Sequence, residues 1–581
     1  MHFLKNVIYC CRNAAVPILL VINVMLSGCG PSSTQESQPP TPKAPSLIFS
    51  TYLGGSTPCA SCGTTALTFA QNTASDILGN TYVTGATTVS DLPVTVNAYQ
   101  RAPVAGSTLS AFVAKYDPAG KLLWCTYLGG DGQSMGTGIA ARPGGGVAVV
   151  GITSSDSAGP FPTMNPYQPG NSGPATTTDY FVTVFDANGK MLYSTYFGGS
   201  GNEGDSAFSD DNSNGNNVSV DAQGLVYFTG STNSAGIGAS TVKFPLTSNA
   251  LQKTFGGDPV NNTDAFLAII NPSQSGLASL VYSSFLGGTK NEKGHSVAVN
   301  ATGSLIAVGG YTDSTDFPTV NAYRSSCPPT GWSSNGFITQ FTSSLPGNLS
   351  SQYRMRYSTY LGGDTSAARD DIYGITLDSN GLIVATGRTE SVDFPMLDSS
   401  QPSIYNSAPN PTATSRNDQP YVVKINPSLS GAASLVYATF LGGGSTSGGG
   451  GAFCTGVAVD SKGSTYVGGE TSSPGVQYTP SSIPTTAPEM FPYTPDALFP
   501  AYQGGKFDAM LMQVSPDGGT LAYSTFLGGT NSDRAYGLAV DPAGNVVITG
   551  LTFSSNFPVQ NPAQNWPGNS GQNAFVTKFG R

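Results

Sequence analysis

Short apolar runs separated by clusters of Gly, Asn, Asp and Pro recur along this chain from about residue 46 onward, with the spacing of strands and tight turns. Leu521 to Pro558, LAYSTFLGGTNSDRAYGLAVDPAGNVVITGLTFSSNFP, shows the unit. An aromatic and β-branched run through Tyr523, Thr525 and Phe526 stops at Gly528-Gly529. Two further runs of strand length, Gly537 to Asp541 and Asn545 to Gly550, flank the turn sequence Pro542-Ala543-Gly544. The pattern predicts strand after strand, and no long amphipathic helix is visible.

The Gly-Gly that closes the first run recurs at Gly54-Gly55, Gly129-Gly130, Gly198-Gly199, Gly287-Gly288, Gly362-Gly363, Gly442-Gly443 and Gly528-Gly529, seven copies in all. Each follows the same kind of run, from Ser50-Thr51-Tyr52-Leu53 to Ser524-Thr525-Phe526-Leu527. A period of roughly 70 to 90 residues fits one four-stranded unit carrying a large loop.

Further elements repeat in the same order. Val218-Ser219-Val220-Asp221, Val457-Ala458-Val459-Asp460 and Leu538-Ala539-Val540-Asp541 form one set; Thr229-Gly230-Ser231-Thr232, Thr386-Gly387-Arg388-Thr389 and Thr549-Gly550-Leu551-Thr552 form the next. Phe161-Pro162, Phe244-Pro245, Phe317-Pro318, Phe394-Pro395 and Phe557-Pro558 form the last. The pattern resembles the bacterial seven-bladed β-propeller repeat family, whose core reads YSTYLGG, an acidic or Asn-containing loop, IAVD-xx-GN-x-YVTG-x-T, then FP. The first repeat departs from it, with Ala74-Ser75-Asp76-Ile77 in place of the regular strand and Leu92-Pro93 for Phe-Pro. The resemblance covers almost everything after residue 46 and implies an all-β fold, a seven-bladed β-propeller of four-stranded blades. It implies little about activity.

Strand order follows from the two ends. A strand such as Ala111-Phe112-Val113-Ala114-Lys115 precedes every Gly-Gly run except the first, and the missing copy is Asn573-Ala574-Phe575-Val576-Thr577-Lys578-Phe579. With the usual radial order, IAVD-like strands are innermost and STYLGG-like strands outermost, so the N-terminal outer strand closes the ring against the C-terminal strand. The expected organisation is a signal peptide at 1–28, a tether at 29–46 and a propeller at 47–581. Blades fall at about 63–130, 131–199, 200–288, 289–363, 364–443, 444–529 and 530–581 with 47–55; they are numbered 1 to 7 below. Tight turns such as Asp378-Ser379-Asn380-Gly381 lie on one face and seven long, dissimilar loops on the other, where binding residues commonly sit.

The N-terminus and composition set the address. Lys5 and Arg12 precede an uncharged, mainly apolar run from Ala14 to Leu26, too short for a comfortable membrane span, which reads as a secretory signal. Leu26-Ser27-Gly28-Cys29 looks like a lipobox; the alternative is an ordinary signal peptide with an incidental cysteine. A diacylated Cys29 would anchor the chain to a membrane. By resemblance to Gram-negative lipoproteins, Gly30 in place of Asp favours the outer membrane. The Pro/Ser/Thr-rich segment that follows reads as an extended tether. A net charge of −10 without basic clusters argues against nucleic acid as a partner, and a monomer is expected.

Candidate chemistry is thin. The chain has two histidines, His2 and His295, so a His-rich metal site is excluded; His295 reads as a hydrogen-bonded surface residue, and no Gly-x-Ser-x-Gly elbow accompanies it. Cys59 and Cys62 have no second pair for a zinc knuckle, and in an oxidising compartment a local disulfide is expected, with free thiols the alternative. Asp210, Asn212, Asn214 and Asp221 fit calcium-loop spacing with Gly215 at the sixth position, although Asp stands where a bidentate Glu belongs. The same match is also explained by a polar turn meeting the repeat's own aspartate. Apart from that calcium no cofactor is expected. Glu203, Asp205, Glu292, His295, Asp370, Asp371, Asp533 and Arg534 are expected to crowd the channel mouth as a solvated binding rim. Two functions remain: a non-catalytic, membrane-anchored interaction module binding protein or polysaccharide through its long-loop face, or a carbohydrate-active hydrolase or lyase at the channel mouth. No catalytic motif is present, which favours the first.

Overall fold

The computed structural model describes residues 45–580 apart from 157–158, 175, 205–215, 236–241, 328–333, 345–351, 365–367, 392, 397–417, 443–450, 479–489 and 570. The expected signal peptide, Cys29 and nearly all of the tether lie outside the described residues. The β-branched and aromatic runs form seven four-stranded sheets, each antiparallel and, blade 7 apart, each adding its strands in chain order from inside to outside. Blade 4 is typical, with Glu292–Val299 innermost, then Leu305–Thr312, Asn335–Ser343 and Tyr353–Leu361. The first strands of all seven sheets surround one central channel, so the molecule is a seven-bladed β-propeller.

Blade 7 is shared between the ends of the chain. Asp533–Val540, Val546–Thr552 and Asn573–Gly580 receive Ser46–Leu53 as the outer strand, paired from Ser46 opposite Gly580 to Leu53 opposite Ala574. Closure removes the two edges that an open ring would expose.

The repeat motif is explained by how its pieces hold one another. The Phe of each Phe-Pro stacks on an aromatic ring of the third strand, as Phe161 does on Phe181 at 4.3 Å, Phe317 on Phe337 at 4.6 Å and Phe557 on Phe575 at 4.5 Å between centroids. The outer-strand Tyr then clamps the same loop. Tyr196 Oη accepts from Phe161 N at 2.7 Å and donates to Ser155 O at 3.2 Å, and Tyr52, Tyr127 and Tyr360 repeat the pattern. Beyond Phe-Pro the loop does not go straight to the third strand. It runs back along the outer strand, with bridges from Met164 to Ser194, Gln168 to Tyr196, Val320 to Ser358 and Gln560 to Ser50. Part of each such loop therefore covers a sheet edge.

On the opposite face the short turns are Asx turns. Asp541 Oδ1 accepts from Ala543 N and Asn545 N, both at 2.9 Å, and Asp221, Asp378 and Asp460 do the same in their blades.

Each regular inner strand carries a one-residue bulge, seen where register slips between Gly294 and Ser296, between Ile372 and Gly374 and between Ala535 and Gly537. The second-strand glycine lies against this bulge, and a Cβ on Gly387 would overlap the Asp371 carbonyl oxygen. Inner strands are also tied to their neighbours: Ser296 Oγ donates to Asn216 O at 3.1 Å, and Ile375 N donates to Ser296 Oγ at 3.2 Å.

Candidate functional site

Of the acidic residues expected on the rim, Glu292, Asp370 and Asp533 each open an inner strand and Glu203 bridges Thr232 at the matching place in blade 3, and that position is buried. Glu203, Glu292 and Asp533 are 0% exposed and Asp370 is 1% exposed, so they are no solvated rim; they form the joint between blades. Asp205 lies outside the described residues. In blade 4, Glu292 stands opposite Thr312, which stands opposite Asn335, and every blade repeats this row with Thr in the middle. Thr232 Oγ1 donates to Glu203 at 2.8 Å, Thr312 Oγ1 to Glu292 at 2.5 Å and Ser391 Oγ to Asp370 at 2.7 Å. The Gly-Gly of the preceding blade closes the joint. Gly288 N donates to Glu292 Oε2 at 2.9 Å, and Gly529 N to Asp533 Oδ2 at 2.6 Å.

Sequence reasoning missed the partners of these acids. Asp179, Asp264 and Asp508 open the third strands and face Glu203, Glu292 and Asp533 across the Gly-Gly. Asp179 Oδ1, Glu203 Oε2, Asp264 Oδ1, Asp508 Oδ1 and Asp533 Oδ1 are buried with no partner beyond this pairing. Such pairs hold a proton. Burial raises Asp179 from 3.8 to about 6, Asp264 to about 8 and Asp508 to about 8, and proximity of the opposing carboxylate adds to the last two. Burial likewise raises Glu292 to about 7 and Asp533 to about 6, and lifts Glu203 well above the usual range. The signal in the sequence is substitution at one register: Asn335 and Asn573 stand where Asp264 stands, and Thr68 and Ser134 where Glu292 stands. Interchange with uncharged residues marks a buried joint.

The same joint dictates Gly-Gly. A Cβ on Gly528 would lie 2.6 Å from Asp508 Oδ1 and 2.9 Å from Asp533 Oδ2. Gly528→Ala is therefore expected to cost about 1–3 kcal/mol by overpacking. Chemical denaturation reads this, and a midpoint equal to wild type would refute the joint.

Other candidate residues separate. Cys59 and Cys62 form a disulfide in the loop after the N-terminal strand. Cys125 and Cys454 are fully buried thiols, and burial raises Cys125 to about 12, so they are packing residues. Asp210, Asn212 and Asn214 lie outside the described residues. Asp221 is 1% exposed, its Oδ1 held by Gln223 N and Leu225 N and its Oδ2 by Tyr227 Oη at 2.9 Å, which is the turn reading of that motif. Among the described residues no cluster of three metal-ligating side chains exists.

His295 is buried rather than superficial, at 2% exposure. It is the bulged residue of its strand, with Nδ1 2.8 Å from Ile372 O and its ring stacked on Tyr373 at 5.2 Å. Asp371, two residues before Tyr373, accepts from Arg388 Nε at 2.9 Å, and Arg388 Nη1 lies 3.5 Å from Asp418. Arg534 Nε lies 3.6 Å from Glu470. These groups lie at the long-loop end of the inner strands. The channel's other end, at the short turns, is a cavity of about 760 Å³ ringed by Val220, Val299, Leu377, Ala458 and Val540 with intervening Ser and Thr. Asn72, Asn216, Asn300, Asp378 and Asn380 also line it, so its wall is mixed polar and aliphatic, whereas the arginines and aromatic rings gather at the other end.

The family described as the beta-propeller repeat (SBBP) matches residues 48–93, the closing strand and the first inner strands of this ring. The chain is a β-propeller repeat protein. Regulatory protein FlaEY of Caulobacter vibrioides is 26% identical to this repeat protein over 207 residues, 36% of this chain, which spans only 18% of that relative's length. The WD40 repeats of RRP9 are 7% identical with a TM-score of 0.36, covering 93% of this chain and 99% of that one. The polysaccharide lyase Uly1 is 9% identical with a TM-score of 0.31, covering 76% and 89%.

Proposed function

We propose that this β-propeller repeat protein is an extracytoplasmic, lipid-anchored interaction module that binds protein or polysaccharide on its long-loop face without catalysing a reaction. One observation carries the non-catalytic reading: the carboxylate pairs able to do acid–base work, Asp179 with Glu203, Asp264 with Glu292 and Asp508 with Asp533, are sealed beneath Gly-Gly turns at blade joints. A general acid must reach its substrate within hydrogen-bond distance, and these do not face solvent. Relatedness to part of a regulatory protein accords with an interaction role. The anchor rests on the Leu26-Ser27-Gly28-Cys29 sequence, whose acylated cysteine would gain roughly 0.8 kcal/mol per buried methylene.

The test uses the full chain expressed with its leader. Wild type is expected in the membrane fraction and Cys29→Ser in the soluble fraction; identical soluble behaviour of both would refute the anchor. Incubation of the same protein with bacterial and plant polysaccharides is expected to release no new reducing or unsaturated ends. Turnover lost on substituting one residue of the charged channel mouth would establish the hydrolase or lyase reading instead.

A further inference from the structure

The channel mouth on the long-loop side is not symmetric. The second residue of each inner strand, with its partner on the second strand, forms one ring of positions around the axis. In blades 1 and 2 the ring holds Phe69 with Ala86 and Met135 with Ile152, all buried and apolar. In blades 4 to 7 it holds Lys293 with Tyr311, Asp371 with Arg388, Phe453 with Glu470 and Arg534 with Leu551. One residue of each of these four blades is partly exposed, and they alternate as ring, guanidinium, ring, guanidinium: Tyr311, Arg388, Phe453, Arg534. The Arg388 and Arg534 side chains are 20% and 23% exposed.

These residues form one continuous arc. His295 lies 5.5 Å from Tyr311 and 5.2 Å from Tyr373, Tyr373 lies 6.4 Å from Phe453, and Phe453 lies 6.4 Å from Phe507, all between ring centroids. Arg388 sits over Tyr373 at 5.9 Å and Arg534 over Phe507 at 4.7 Å. Each guanidinium is oriented through Nε by a carboxylate, Asp371 or Glu470. Lys290 and Arg369 act on Asp313 alongside, and Lys506 packs on Phe507 at 5.1 Å. In a chain with only 24 Lys and Arg, this gathers several cations around aromatic faces, with Asp371, Asp418, Glu390 and Glu470 set among them.

We infer that this arc binds an anionic polysaccharide, a chain of uronic acid residues. The inference rests on the interaction-module reading and names its ligand class. Pyranose rings present C–H faces that pack on Tyr311 and Phe453, and the planar guanidinium fork matches a uronate carboxylate in a way an ammonium does not. Alternation of ring and cation from blade to blade matches a polymer in which every sugar carries both an apolar face and a carboxylate. The acidic protein as a whole repels polyanions at long range, so binding depends on contact at this arc and weakens with salt.

The test is isothermal titration of the full chain, in detergent, with oligogalacturonate and oligomannuronate, against neutral galactan and single-stranded DNA. At least one uronate oligomer is expected to bind, the neutral and nucleic acid probes much more weakly, with affinity falling as salt rises. Phe453→Ala and Arg534→Ala are each expected to weaken binding about tenfold or more, and Phe453→Tyr to retain it. Arg388→Lys keeps a cation beside Asp371 while removing the fork, and it too is expected to weaken binding at unchanged melting temperature. Failure of both uronates to bind, equal binding of galactan, preference for DNA, or full affinity in folded Phe453→Ala and Arg534→Ala overturns the inference. A ligand from a protein and glycan panel that binds elsewhere on the long-loop face also overturns it, while leaving the interaction-module reading in place. Uronate cleavage during titration would sink that reading separately.

Discussion

Deletion of residues 573–581 is expected to leave a protein with no cooperative unfolding transition, recovered as aggregate. The strand Asn573–Gly580 is bonded on both sides, to Val546–Thr552 and to Ser46–Leu53, so its removal strips two ladders at once. It also takes Phe575, Val576 and Phe579, at 0%, 0% and 1% exposure, out of the core. Each such side chain is worth about 1.5–3 kcal/mol of burial, and the total approaches the whole stability margin of about 5–15 kcal/mol. Lys578 adds a second loss. It pairs with Asp541 at 2.7 Å and donates to Gly79 O at 2.7 Å, tying blade 7 to blade 1, and both charged side chains are nearly fully buried. Calorimetry of the truncated chain checks this; a melting transition within a degree or two of wild type would mean that the shared blade does not hold the ring.

The second large effect is on pH. Asp264 and Asp508 have pKa values raised from 3.8 to about 8, and Glu292 from 4.5 to about 7. A carboxyl group whose folded pKa is raised binds its proton more tightly in the native state. The stability it contributes is fully present below the unfolded pKa and is lost as pH rises through the folded value. Wild type is therefore expected to lose stability steadily as pH rises from about 4 to about 8. Substituting Asp264→Asn and Asp508→Asn together reproduces what blades 4 and 7 already carry as Asn335 and Asn573. The double variant is expected to lose most of the slope and to be more stable than wild type above about pH 8. Urea melts across that range decide it, and a pH profile identical in both proteins would show that these pairs carry no shared proton.

Much of the fold was legible because the repeat encodes it redundantly. Seven Gly-Gly runs, the missing strand at the N-terminus and its extra copy at the C-terminus together specify both the blade number and the closure of the ring. The site was less legible, for a physical reason. Glu203, Glu292, Asp370 and Asp533 follow glycine-rich turns, and charge next to a turn reads as surface. In the ring those turns pack against the next blade, so the carboxylates are enclosed by Thr and Ser hydroxyls and glycine amides. The regular Thr-x-Ser at 232–234, 312–314 and 389–391 is the trace that these hydroxyls leave in the sequence. The tail of the Phe-Pro loop also carries a repeated glutamine: Gln100, Gln168, Gln252 and Gln564 each accept from the first glycine of Gly-Gly, at 3.0 to 3.1 Å. Each follows the proline of Phe-Pro, or of Leu-Pro in the first repeat, by six or seven residues, so this repetition was legible in the sequence. The aromatic and guanidinium arc is invisible in one dimension because its members lie in four different blades and share only a register.

The shared blade also bears on how this chain reaches its native state. Ser50 and Thr577 bond across 527 positions of sequence. Closing so long a loop is entropically costly and slow compared with forming a hairpin inside one blade, so individual blades condense first and the ring latches afterwards. Until it latches, the partly built solenoid carries an unsatisfied strand edge at each terminus, the state most exposed to misassembly with a second copy. The folding bottleneck and the aggregation hazard thus coincide in one late event, which sets how long a chaperone or holdase must keep copies of this protein apart.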